Sequence, residues 1–406
     1  MKIGLLAYHS AINFGATLQL LSTYYYCKNN GHTPIVINWV PEDLEAFYKK
    51  RATNEQIVFC KLLRESIWKE SNLCRTSEDV AREIKINNID AVIIGSDAVA
   101  QHHPFLERVI FPTKRIFNVR KYTSDRMFPN PFWGEFNKYL EHPVPVAVMS
   151  ASNQDSAFHL IPFNTKIQMK KAIMAYCYIS VRDSWTQEMI KSVTAGNRIP
   201  LITPDPVFAF NYNASDAIPS RNEIIARYNL PEKYILMTFE SYGKPDDAWF
   251  NEFECIAKTA GYTCVSVPFS DRKSMDSLRN RIDLPLSPID WYALIKYSSG
   301  YVGHNMHPIV VSLHNAVPFY SFDNYGTKKF RNKIATDKTS KIKHILERAS
   351  FMTNRISCIS SDFKTPSAQE VFGTLINMDV VKERIFADSY YQEYKQMMTD
   401  IFKSIV

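Results

Sequence analysis

No CxxC pair occurs in the chain. Its seven cysteines, at 27, 60, 74, 177, 255, 264 and 358, are an odd number in 406 residues. That argues against a disulfide framework and a structural zinc site, and it fits a reducing, cytoplasmic setting. Long apolar runs are also missing, since none reaches the ~18 residues of a membrane span. The turn after the first apolar stretch reads YHSAINFGATLQ, with the single Gly15, so a dinucleotide site of the ordinary GxGxxG kind is excluded. Nor is there a zinc finger or an RNP-like aromatic pattern, and no nucleic-acid partner is expected. Charge is only mildly one-sided: 48 basic against 41 acidic residues give +7. An excess of this size suits phosphorylated ligands or peripheral contact with the anionic inner face of a membrane. Basic residues concentrate in TKKFRNKIATDKTSKIKH, between Lys328 and Lys343. This run reads either as a solvated face or as a contact for a phosphate-bearing ligand or membrane.

What is present is alternation. A hydrophobic fraction of 46% over 406 residues is enough for two cores, and the length exceeds what one core usually fills. KIGLLAY reads as a first strand rather than a leader, because His9 and Ser10 follow where a cleavage site would need small residues. TLQLLSTYYYCKNN is a helix, and PIVINWV, IDAVIIGSDAV, VPVAVMSAS and YISV are further strands of a parallel α/β unit. The polar stretch NYNASDAIPSR, in 211–222, carries the expected domain boundary, after which strands and helices resume with YILMTFE. The reading is an α/β chain of two Rossmann-like domains facing a cleft, residues 1–215 and 216–368. A helical segment, 369–406, follows. In it Tyr390, Tyr394, Met397, Ile401 and Ile405 form a stripe that packs back onto a domain.

In doubly wound sheets ligands bind beyond the carboxyl ends of the strands. His9, Asn13 and Gly15 fall there, as a polar acceptor site or as a loop with a helix cap. Gly95, Ser96 and Asp97 end another strand; glycine admits a ligand to the backbone and aspartate can take a hydroxyl proton, although turns use the same residues. Arg182 directly follows YISV and either grips an anion or pairs with Asp183 or Asp205. In GYVGHNMHPIVVSLHNAVPFYSF, Asn305 and His307 occupy a strand-to-helix turn whose helix presents free N–H groups to an anion. His304 and His307 supply two metal ligands at most, and no metal is expected. His304 is assigned a structural role.

The blocks KIGLLAYHSAINFGATLQ, DAVIIGSDAV, YISVRDSWTQEMI, ITPDPVF and DWYALIKYSSGYVGHNMHPIVVSLHNAVPF, in this order, resemble the polysaccharide pyruvyl transferase family over roughly residues 1 to 325. The resemblance implies a fold like that of two-domain glycosyltransferases (GT-B). It also implies transfer of the pyruvyl unit of phosphoenolpyruvate to a sugar, commonly as a ketal across two hydroxyls, in surface polysaccharide synthesis. Carried over, the family's aspartate, arginine and histidine are Asp97, Arg182 and His307. Donor contacts fall to Arg182, Asn305 and His307 and acceptor contacts to His9, Asn13, Gly15, Gly95, Ser96 and Asp97. The acceptor is a sugar or a lipid-linked oligosaccharide, and no redox cofactor or obligatory metal is needed. The family's last block commonly reads Arg-Leu-His-Gly or Ser-Phe-His-Gly; here it is NMHP, which puts donor specificity in question. The alternatives are a nucleotide-sugar glycosyltransferase and a noncatalytic glycan-binding protein.

Overall fold

The computed structural model describes residues 1–110, 117–272, 274–329 and 334–405. Strands Lys2–Leu6 (β1), Thr33–Val36 (β2), Ala91–Asp97 (β3), Val146–Ala151 (β4), Tyr178–Val181 (β5) and Leu201–Ile202 (β6) make one sheet in the order β2-β1-β3-β4-β5-β6. Strands Tyr234–Thr238 (β7), Thr263–Ser266 (β8), Gly300–Gly303 (β9), Phe319–Asp323 (β10) and Arg355–Ser357 (β11) make the second, in the order β8-β7-β9-β10-β11. All pairings within these two sheets are parallel. Parallel neighbours need crossover connections, which is why helices alternate with the strands along the chain.

The helices that matter for the site are Phe14–Asn29 (α1), Glu42–Lys49 (α2), Asn54–Ile67 (α3), Ser184–Val193 (α4), Pro288–Lys296 (α5), Met306–Asn315 (α6), Lys341–Ala349 (α7), Ala368–Ile376 (α8) and Val380–Ile405 (α9). Alternation along the strands divides the interior. Ile3, Leu5, Ala91, Ile93, Ala147 and Met149 turn to a core that also receives Tyr234, Leu236, Tyr301 and Phe319 of the second sheet. Their neighbours Leu6, Val92, Ile94 and Val148 face a core of the first domain, and Ile235, Met237, Val302 and Phe322 face one of the second. The two sheets are therefore joined by a common core with α1, α5, α6 and α9 in it.

The stripe on α9 packs as expected: Tyr390, Tyr394, Met397, Ile401 and Ile405 are buried. Tyr390 meets Phe208 with ring centroids 4.7 Å apart, and Asn213 Nδ2 donates to Tyr394 Oη at 3.0 Å. The stretch expected at the boundary is anchored too, since Tyr292 Oη donates to Asn211 Oδ1 at 2.8 Å. Of the basic run, residues 330–333 lie outside the described residues. No described helix is long and apolar enough to cross a membrane.

Candidate active site

A cleft of about 240 Å³ opens at the carboxyl ends of both sheets. Asp97 enters it from the end of β3, Arg182 from the residue after β5, Thr238 from the end of β7, and Asn305, Met306 and His307 from the β9–α6 turn. Asp97 and Asn305 both have φ of 80°. Side-chain-bearing residues held there cost about 1–3 kcal/mol each, a strain concentrated at functional turns. Asn305 precedes α6 without capping it. The helix begins at Met306, so Pro308 sits in the first turn, where its missing N–H removes no helical bond.

Asp205, in the ITPDPVF block, organises the floor. Its Oδ2 accepts from Gln19 Nε2 at 2.5 Å and Arg182 Nη1 at 3.1 Å, and His307 Nε2 lies 3.9 Å away. Its Oδ1 accepts from the Val207 N–H at 3.0 Å. Arg182 Nη2 donates to Asp97 Oδ1 at 2.7 Å. The arginine is thus a buried bridge between two carboxylates, and its fork is already engaged. Of the two readings of Arg182, the pairing with Asp205 is present, with Asp97 as a second partner: Arg182 supplies positive charge, and it fixes both acids. Burial alone would raise the Asp97 pKa, but Arg182, followed by Lys341 and His307, holds its carboxyl well below the usual range.

His307 lies flat against α1. A Cβ built on Gly15 would stand 2.1 Å from the ring, so Gly15 serves by having no side chain, and it couples the first turn of α1 to that of α6. Burial lowers the imidazole pKa, and Asp205 and Asp97 only partly oppose this. Its Nε2 is buried and makes no hydrogen bond among the described residues. A buried ring nitrogen without a hydrogen-bond partner is unusual and marks a candidate functional group, and His307 is among the residues that line the cleft.

The sequence reading holds Lys341 only as one member of a basic run. In the fold it is the first residue of α7, buried in the cleft with Nζ 4.0 Å from Asp97. Ser340 places it: its Oγ caps α7 by accepting from the Lys343 N–H at 3.0 Å and itself donates to buried Asp323. Burial, reinforced by Arg182, lowers the Lys341 pKa to about 8.

Three expected acceptor residues lie off the cleft lining. His9 is buried, with Nε2 2.9 Å from Asn38 Oδ1 and Nδ1 3.2 Å from the Ala7 carbonyl; burial lowers its pKa. Chain reversal after β1 turns the ring toward β2. Gly95 admits the protein's own backbone, since a Cβ there would stand 2.4 Å from the Met149 carbonyl oxygen. Ser96 is buried, its Oγ donating to the Ser150 carbonyl at 3.3 Å. Asn13 and Gly15 do line the cleft, and Asn13 Oδ1 also caps α1 by accepting from the Ala16 N–H at 3.2 Å. His304 is buried away from the lining, its Nδ1 accepting from the Glu240 N–H at 2.7 Å, a structural placement.

Among solved structures, the UDP-GlcNAc 2-epimerase from Neisseria meningitidis bound to UDP-GlcNAc aligns over 99% of this chain and 100% of its own, at 10% identity and TM-score 0.53. The UDP-GlcNAc 2-epimerase from Methanocaldococcus jannaschii aligns over 96% and 100%, at 9% identity and TM-score 0.49. A ugt transferase from Siraitia grosvenorii in complex with UDP aligns over 100% and 99%, at 11% identity and TM-score 0.48. The first of these, at TM-score 0.53, shows a likeness of fold alone, two Rossmann-like domains in the GT-B arrangement. No curated protein matches the chain. The family model for polysaccharide pyruvyl transferase matches residues 13–325, a span that includes Asp97, Arg182, Asp205 and His307. The chain belongs to the polysaccharide pyruvyl transferase family.

Proposed function

We propose that the cleft transfers the pyruvyl unit of phosphoenolpyruvate to two hydroxyls of a sugar acceptor, forming a pyruvate ketal. The observation that carries this is the floor itself: an unpartnered buried imidazole at a helix start, beside two buried cations and two carboxylates. Arg182, Lys341 and the first turn of α6 supply positive potential for the donor's phosphate and carboxylate. A phosphate dianion beside His307 raises the imidazole pKa on binding, so the ring gains its proton as the donor arrives.

The protonated ring delivers that proton to the donor's methylene carbon, and the neighbouring carbon becomes an oxocarbenium centre. An acceptor hydroxyl adds there and forms the first C–O bond. Its proton passes to Asp97; although Arg182 makes this carboxylate a weak base, an oxonium is acidic enough to lose a proton to it. The C–O bond to phosphate then breaks with its electron pair, and inorganic phosphate leaves. A second hydroxyl attacks the resulting oxocarbenium and gives its proton to the imidazole of His307, closing the ketal, while the proton on Asp97 leaves with the phosphate. One phosphoenolpyruvate and one diol become one ketal and one phosphate.

The test is an acceptor screen with phosphoenolpyruvate, in which phosphate release is matched to acid-labile pyruvate on the product by mass and linkage analysis. Release of a nucleoside diphosphate from a nucleotide sugar, with phosphoenolpyruvate inert, replaces this reading with glycosyl transfer. Sugar binding without turnover of either donor replaces it with a lectin-like role.

A further inference from the structure

The cleft's cations fall into two layers. On the floor the side chains of Arg182 and Lys341 are 2% and 6% exposed and share Asp97. At the mouth Arg51, Arg126 and Arg272 are 47%, 31% and 42% exposed. All five line the same cleft.

Aromatic rings stand under all three outer arginines, and of the three only Arg272 is also held by a two-point carboxylate contact. Arg51 and Arg126 stand over the same ring, Phe47, at 5.1 and 5.8 Å from its centroid, and Arg272 stands over Phe269 at 5.0 Å. Arg126 makes no side-chain hydrogen bond among the described residues; its nearest carboxylate, Asp125, is 3.8 Å away, and its buried Nε has no partner. Among the described residues, the one carboxylate that Arg51 reaches is Asp271, at 3.4 Å. Arg272 holds that carboxylate through two hydrogen bonds, Nε to Oδ1 at 3.1 Å and Nη2 to Oδ2 at 3.4 Å, and lies 3.8 Å from Glu240.

The two first-domain arginines are held together by construction. Ser124 donates its N–H and its hydroxyl to Asp43 at 2.7 and 2.8 Å, tying the Arg126 segment to the start of α2. Phe47 lies near the other end of that helix, and Arg51 just beyond it. Asp125 is itself fixed by Tyr8 Oη at 2.9 Å. Clamping like charges around one ring costs Coulomb energy, which an anion placed between them reverses. Guanidinium forks favour planar or tetrahedral oxyanions.

We propose that the mouth is a second oxyanion subsite, which binds a phosphate or carboxylate group carried by the acceptor while the donor's charges rest on the floor. The acceptor is accordingly an acidic or phosphorylated glycan. The identity of the donor rests on the pyruvyl-transfer reading; the subsite does not.

Calorimetric titration with inorganic diphosphate and with glucuronate, each with and without saturating phosphoenolpyruvate, tests this on the wild type, Arg51→Gln and Arg126→Gln. At least one anion is expected to bind the donor-loaded protein as well as the free one. Each substitution is expected to weaken that binding about tenfold or more while leaving phosphoenolpyruvate affinity within about twofold. Binding of diphosphate alone assigns the subsite to phosphate, and binding of glucuronate alone to carboxylate. Competition between the anion and phosphoenolpyruvate, a matching loss of donor affinity in the variants, or wild-type binding of neither anion overturns the proposal. Diphosphate binding that Arg126→Gln abolishes, in a wild type that binds no phosphoenolpyruvate, keeps the subsite and overturns the donor assignment.

Discussion

Burial, not sequence motif, sets the chemistry of the two groups that the floor leaves least committed. The pKa of His307 is lowered by burial despite Asp205 and Asp97, so its charged form gives up a proton more readily than a free imidazolium does. His307→Ala is expected to keep the fold and to cut turnover of phosphoenolpyruvate about 100-fold or more, the usual scale for a lost general acid. Steady-state kinetics on a variant with wild-type circular dichroism checks this; unaltered turnover would remove the histidine from the mechanism. Gly15→Ala should phenocopy it, because its Cβ would need the space that the ring occupies. Lys341 titrates at about 8 instead of its ordinary 10.5. Its charge, and with it donor affinity, should therefore fall as pH rises through about 8. Between 8 and 10.5 the unfolded chain binds more protons than the folded one, so this same group makes stability rise with pH there. From pH 7 to 9.5 donor affinity should fall, while the Tm of the wild type should rise relative to that of Lys341→Met, a difference that separates this group from the other titrating residues. Arg182 was legible because it follows a strand directly, and His307 because it stands at a strand-to-helix turn. Lys341 was not, since nothing local separates it from the solvated lysines near it; only the buried Asp323–Ser340 contact selects it.

At the scale of elements, the strands and the α9 stripe were legible because their periods of two and of three to four describe which side is buried. Loop direction has no such period, and the first turn shows it: His9 follows β1 yet points to Asn38. Glycines misled for a related reason, since Gly95 makes room for Met149 rather than for a ligand. The α9 helix also carries an unexpected liability. Glu383 is fully buried, both its carboxylate oxygens lack partners among the described residues, and burial raises its pKa to about 9 from 4.5. In that window the folded state holds a proton that the unfolded chain has released, so stability falls as pH rises from 4.5 toward 9. Glu383→Gln is expected to melt higher than wild type at pH 8.5 and to flatten the pH dependence of Tm. A variant that melts lower than wild type at pH 8.5 would mean that the carboxylate has a charged partner.

At the scale of the molecule, two Rossmann-like halves suggest two bodies on a hinge, but their interior is not divided that way. The core between the sheets takes side chains from both, and polar ties span the same division. Gln56, buried on α3, donates Nε2 to the Leu286 carbonyl at 3.0 Å and accepts from its N–H at 2.9 Å through Oε1. Ser270 Oγ donates to the Ile12 carbonyl at 2.7 Å, and α9 packs on both α6 and β4. Neither half can unfold without exposing apolar surface on the other, and this couples their stabilities. Calorimetry of the full chain should therefore show one transition rather than two. Gln56→Ala leaves a buried N–H and carbonyl unpaired, at a cost of about 1–3 kcal/mol each. It should lower the single Tm without splitting it. Two resolved transitions in the wild type, or a split created by Gln56→Ala alone, would show that the shared core does not bind the halves into one cooperative unit. The floor assembled from Gly15, Asp97, Arg182, His307 and Lys341 would then depend on closure of the halves rather than being built in advance.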